Sequence, residues 1–249
     1  MSMIRTANPA LNEKSFARVI PNETGNVMTL QGTVNKTSFL IILTTVAALW
    51  SWGQFTATGN PTIFALLGGI GGFIVALVTM FKKEWSAVTA PLYAVLEGLF
   101  LGALSASVNA MYPGIAIQAI VLTFGTLAAL LIAYKTKLVR ATENFKLGVM
   151  AATGGIAIFY LVSMVIGFFG IPMPLINSSG IMGIGFSAVV VVVAALNLVL
   201  DFDFIENATE QGNLPQYMEW FAGFGLLVTL IWLYVEILRL LMKLQQRRN

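Results

Sequence analysis

The sequence contains no histidine and no cysteine. These absences remove imidazole acid–base and triad chemistry, thiol nucleophiles, disulfides, zinc, iron–sulfur clusters and His- or Cys-ligated haem. Any proton chemistry must therefore use carboxylates. Charge is scarce as well: 10% of the 249 residues are charged and 57% are hydrophobic, against about 25% and about 45–50% in soluble domains. With a mean hydropathy of +0.84, this is the composition of an integral membrane protein. The formal charge of +3 and the isoelectric point near 9.2 fit lysines and arginines that flank membrane spans better than a nucleic-acid surface. No basic stripe interleaved with aromatics occurs, and no nucleic-acid partner is expected.

What is present is a series of apolar runs, each long enough to cross roughly 30 Å of hydrocarbon at about 1.5 Å per residue. Seven are predicted, at about Thr37–Trp52, Thr62–Phe81, Ala87–Ala110, Gly114–Tyr134, Leu147–Gly170, Gly180–Leu200 and Tyr217–Leu241. The expected fold is an all-α integral membrane protein, a seven-helix transmembrane domain over residues 36–249. Residues 1–35 are mixed and polar, with no apolar stretch after a basic start, and are expected to form an N-terminal tail rather than a cleaved signal peptide.

Basic residues fall in four places: Arg5, Lys14, Arg18 and Lys36; Lys82 and Lys83; Lys135, Lys137, Arg140 and Lys146; and Arg239, Lys243, Arg247 and Arg248. The connections after spans one, three and five hold none, which orients the tail to the cytoplasm. The last pair of spans departs from this pattern. Seven crossings would put the basic C-terminus outside, and the sixth connection carries Asp201, Asp203, Glu206 and Glu210 with no lysine or arginine. Either the pair violates the charge rule or one segment re-enters without crossing, so the side of the C-terminus stays open.

Glycines cluster inside the spans, at Gly68, Gly69, Gly71, Gly72, Gly98, Gly102, Gly154, Gly155, Gly183, Gly185, Gly223 and Gly225. No strand precedes any of them, as a dinucleotide fingerprint requires, so close helix packing is the preferred reading.

Glu97 lies near the middle of the third span with nothing charged within ten residues on either side. A charge at that depth is costly, so Glu97 should face the protein interior, find a partner or stay protonated. Helical spacing puts Ala94, Gly98, Leu101 and Ser105 on or near its face. In the sixth span, Asn197 and Asp201 lie one turn apart on one face, a plausible cation or proton site made of hard oxygen donors. Asp203 points elsewhere and, with Glu206 and Glu210, reads as a solvated acidic connection. Asp201 itself is read equally well as an interfacial helix end. In the seventh span an intrahelical contact between Glu236 and Arg239 is the cheapest explanation of both, and a pairing of Glu236 across helices is the alternative. Glu219 suits the positive dipole end of that helix, and the five tryptophans suit the membrane interface.

Several membrane protein classes each need residues this chain lacks. Rhomboid-type proteolysis needs a histidine. Presenilin-type proteolysis needs aspartates on two helices, whereas the only two here, Asp201 and Asp203, are two residues apart. A retinal protein needs a mid-helix lysine in the seventh span, and the only lysine near it, Lys243, falls past the predicted end. A non-enzymatic role without a cofactor is expected.

The stretches NPALNEKSF, MTLQGTVNKT, APLYAVLEGLFLGALSASVNAMYPGIAIQAIVLTFGTLAALLIAYKT and ALNLVLDFDFIENATEQGNLPQYMEWFAGFGLLVTLIWLYVEILRLL resemble the bacterial branch of the Bax inhibitor / YccA-like family, the transmembrane BAX inhibitor motif proteins. The likeness extends over essentially the whole chain. It implies a seven-helix bundle with the last helix near its centre, in a bacterial inner membrane, and a pH-sensitive calcium leak gated by carboxylates. It also implies links to cell-death suppression and to modulation of a membrane-bound AAA protease. Asp201, less securely Asp203, matches the family's aspartate at the end of the sixth helix, and Glu97 looks like a carboxylate of this branch. The partner aspartate that some members carry in the seventh helix has no counterpart. The matching stretch is apolar apart from Thr229, which puts a two-aspartate latch in question and leaves Glu236 or Glu219 as substitutes by position only.

Two functions follow. The preferred one is a calcium or cation leak channel or exchanger in the lipid bilayer, with Asp201, Glu97 and Glu236 sensing protons and Asp201 and Glu97 meeting calcium. The alternative is a regulatory protein that binds a membrane AAA protease or another partner through its tail.

Overall fold

The computed structural model describes residues 27–170 and 178–248. Residues 1–26 of the expected tail lie outside the described residues. Among the described residues, seven helices long and apolar enough to cross a membrane follow one another: α1 Leu30–Thr58, α2 Thr62–Phe81, α3 Ser86–Met111, α4 Ile115–Lys135, α5 Glu143–Phe168, α6 Ile181–Glu210 and α7 Met218–Arg248. A 3₁₀ turn at Lys83–Trp85 leads into α3, and no strand occurs among the described residues. The protein is all-α and multi-pass.

Helix α2 coincides with its apolar run, but several others outrun theirs, α1, α5 and α6 for identifiable reasons. α1 starts well before Thr37 because Thr29 caps it, accepting the Gly32 backbone N–H at 2.9 Å. The end of the sequence assigned to the tail is thus helix. α5 takes in Glu143 and Lys146, which were expected in a loop, behind the cap Thr142. α6 continues through Asp201, Asp203 and Glu206 to Glu210, so the acidic segment expected as a solvated connection is helical. Asp201 and Asp203 have the partners described below. At 30 and 31 residues, α6 and α7 are both long enough to cross, about 45 Å each at 1.5 Å per residue.

The chain divides into two compact units, one holding residues 27–116 and 204–228, the other the remaining described residues from 117 onward. In the first, α3 packs against α1 and α2, and glycine permits it. A Cβ on Gly102 would stand 2.2 Å from the Ala48 carbonyl oxygen, one on Gly98 2.4 Å from that of Thr44, and one on Gly68 2.5 Å from that of Leu96. The Ser51 hydroxyl closes the α1–α3 contact by donating to the Leu99 carbonyl at 2.8 Å. Ahead of α1, Val27 forms an antiparallel bridge with Pro215, and the Met28 N–H donates to the Leu214 carbonyl at 2.7 Å.

In the second unit Ile156, Val190 and Val193 form a buried cluster against which Ala152, Tyr160, Phe186 and Trp232 pack. Trp232 is therefore a packing residue as well as a candidate interfacial one. Here the glycine expectation fails: a Cβ on Gly154, Gly155 or Gly185 would meet nothing within 4 Å. Helix α7 is the most enclosed of the seven, with 78% of its apolar window buried against 17–44% in the others.

Candidate functional site

Asp201 is fully buried, with 0% of its surface exposed. It is not a helix end, because α6 carries on past it to Glu210. The Thr229 hydroxyl of α7 donates to Asp201 Oδ2 at 2.6 Å. The polar residue of the apolar stretch in the seventh span thus meets the buried carboxylate. One turn earlier, Asn197 is 2% exposed. Its Nδ2 donates to Thr153 Oγ1 and to the Val193 carbonyl, both at 2.8 Å, which fixes the amide and turns its oxygen away from both. That oxygen, Oδ1, has no hydrogen-bond partner among the described residues. A buried acceptor without a donor costs about 1–3 kcal/mol, so this face of α6 carries an unmet demand for a proton donor or a cation. Asn197 and Asp201 share the face that helical spacing predicted.

Asp203 points away from that face, as expected, but it is not simply solvated. It pairs with Lys146 of α5 at 2.8 Å, with 18% of its side chain exposed and 6% of that of Lys146. Lys146 also lies 3.5 Å from Glu143.

Glu236 is 2% exposed and combines both readings offered for it. Arg239 Nη1 donates to its two oxygens at 2.9 and 3.1 Å within α7, and the Tyr160 hydroxyl of α5 donates to Oε1 at 3.0 Å. Arg239 Nη1 also donates to the Tyr160 oxygen at 2.7 Å. This closed triangle ties α7 to α5. Tyr160→Phe keeps the ion pair and its packing while deleting the shared hydroxyl, so it should cost about 1 kcal/mol in reversible unfolding followed by helical circular dichroism. Lys243, expected past the end of the last span, is a buried residue of α7 that donates to the Gly183 carbonyl at 3.0 Å and to Ser187 Oγ at 2.8 Å.

In the first unit, Glu97 is half-buried and makes no hydrogen bond or ion pair among the described residues. Tyr93 and Phe100, about one turn before and after it, line the same cleft as Glu97. Gly98, one position on, instead meets α1. Opposite Glu97 stands Gly72 of α2, where a Cβ would come within 2.7 Å of Glu97 Oε1. Glu219 is 2% exposed and does more than face the helix dipole. Its carboxylate pairs with Lys36 of α1 and accepts from the Thr29 backbone N–H at 2.9 Å and the Thr29 hydroxyl at 2.8 Å. Lys36 Nζ also sits 5.5 Å from the centre of the Trp220 ring.

The predicted residues thus fall into separate environments, and no group of three or more His, Cys, Asp or Glu among the described residues is placed to hold a metal ion. Sequence reading missed Tyr160 and Thr153, and singled out Thr229 only as a polar residue in an apolar stretch, with no partner assigned. Thr229 alone left a signal, as the single polar residue between Gly225 and Glu236 apart from aromatic Trp232 and Tyr234.

No curated protein and no solved structure matches the chain. The family model described as Bax inhibitor 1 like matches residues 8–246, nearly the whole sequence, and the chain belongs to that family.

Proposed function

We propose that this protein is a non-enzymatic, pH-sensitive cation leak channel or exchanger, with calcium as the permeant ion and Asp201 as the gating carboxylate. The observation that carries the reading is the Asp201 carboxylate, fully buried within an apolar helix and latched by Thr229, with the unpartnered Asn197 oxygen one turn away. A charged residue at such depth costs about 2.5–3.5 kcal/mol or more to insert, an expense that packing alone does not require. Ionised, Asp201 only accepts hydrogen bonds. Protonated, it also donates, so the Thr229 bond can reverse or part and loosen the α6–α7 contact. Calcium prefers about six to eight oxygen ligands, and a carboxylate, an amide and a hydroxyl supply only part of such a shell. That suits an ion in passage more than one in storage.

Glu236, held by Arg239 and Tyr160, suits fixing α7 better than sensing protons. The placement of lysine and arginine supports a cytoplasmic N-terminus, and the resemblance of the sequence supports a bacterial inner membrane.

The test is calcium flux into liposomes containing the full-length protein. Wild type should pass calcium at a rate that differs between acidic and neutral pH. Asp201→Asn should lose most of that difference, and Thr229→Val, which keeps the volume but deletes the donor, should alter the flux at both. Identical flux from all three proteins at both pH values would overturn the assignment.

A further inference from the structure

The Glu97 carboxylate faces a cleft of about 360 Å³ between α2, α3 and the first part of α7. Its walls are mainly aromatic and apolar: Phe73, Met80, Tyr93, Phe100 and Phe224 among them. Tyr93 and Phe224 meet edge to face with ring centres 4.9 Å apart, which stiffens one side. Phe73 is 63% exposed, so the cleft is open along that edge within the span. Three observations together specify an occupant. The lining contains one acid and no base, Glu97 has no hydrogen-bond or ion-pair partner among the described residues, and Gly72 has no Cβ where one would crowd the carboxylate.

From these we infer that the cleft is a binding site for a lipophilic organic cation, a quaternary ammonium or phosphonium with apolar substituents, whose charge meets Glu97 and whose substituents lie against the aromatic walls. Aromatic rings attract a desolvated cation through the negative faces of their π systems, and the volume falls in the range of sites for small ligands, about 300–1,000 Å³. A half-open cleft at membrane depth admits a ligand that has already partitioned into lipid. A neutral acyl chain would fill the same space but would leave the carboxylate unpaired.

The probe is tetraphenylphosphonium, with tetraphenylborate as a control of the same shape and opposite charge. In equilibrium dialysis against the purified full chain in micelles, the phosphonium should bind saturably and the borate should not. Glu97→Gln should weaken binding by about tenfold or more. Ala76→Phe, which fills the cleft from α2 and leaves Glu97 in place, should abolish it, so the inference stays testable if either variant fails to fold. Asp201→Asn, outside the cleft lining, should bind as wild type does, which separates this site from the calcium reading. Equal affinity for wild type, Glu97→Gln and Ala76→Phe, or equal binding of the borate, would overturn it.

Discussion

Replacing Glu219 with alanine should destabilise the protein by about 3 kcal/mol. The carboxylate accepts both Thr29 bonds and pairs with Lys36, so its removal strands three donors at once. Thr29 is also the residue that caps α1, and losing its anchor frees the first turn of that helix. Gly32 explains why the arrangement fits: a Cβ there would lie 2.1 Å from Glu219 Oε1, so Gly32→Val should displace the carboxylate and cost a comparable amount. The double variant Lys36→Met/Glu219→Leu should recover the part of the loss owed to Lys36, because a buried ion pair replaced by apolar groups no longer leaves an uncompensated charge, while the two Thr29 donors stay without the carboxylate. Unfolding of wild type and the three variants in mixed micelles, followed by helical circular dichroism, measures these differences. A loss below about 0.5 kcal/mol for Glu219→Ala would mean that Lys36 behaves as an exposed ion whose partner hardly matters.

The sequence foretold the helices and foretold the contacts less well, and the reason lies in the range of each signal. Hydropathy is a local sum, so α2 could be read to its ends and the middle of every other span was evident. The ends were misjudged where a polar residue has a partner distant in sequence. Asp203 interrupts the apolar pattern of α6, yet the helix continues because Lys146 neutralises it. Asp201 does so too, and Thr229 receives it. At the start of α1, a polar turn is helical because Thr29 caps it and Glu219 holds Thr29.

Asn197, Asp201, Glu97 and Glu236 could all be picked out because a polar group in an apolar helix is conspicuous on its own. The cross-helix partners Thr153 of Asn197 and Tyr160 of Glu236 could not, since a threonine or tyrosine in a membrane helix is unremarkable until the opposing side chain is known. Residue pairs related by one helical turn, such as Asn197 with Asp201 and Glu236 with Arg239, were legible from spacing. The α5–α7 and α6–α7 pairs depend on tertiary arrangement, for which a single sequence offers no period.

Gly102→Leu should prove more damaging still, costing upwards of about 3 kcal/mol or preventing folding outright. The contact it breaks is with backbone: a Cβ on Gly102 would sit 2.2 Å from the carbonyl oxygen and 2.8 Å from the Cα of Ala48. A crowded side chain can rotate aside, whereas a helix backbone can only move as a rod. Relieving the clash therefore means parting α1 from α3 along much of their length. That separation would also stretch the Ser51–Leu99 hydrogen bond and the close approach at Gly98. In lipid no hydrophobic drive draws two helices together, so dispersion between closely fitted surfaces is most of what holds them. The matched control is Gly154→Ala on α5, where a Cβ meets nothing within 4 Å. There the better helix propensity of alanine should leave stability unchanged or raise it by up to about 1 kcal/mol. Both are glycines within apolar helices that sequence alone cannot tell apart. If Gly102→Leu and Gly154→Ala unfolded at the same denaturant concentration, close packing of α1 on α3 would not be what stabilises this unit.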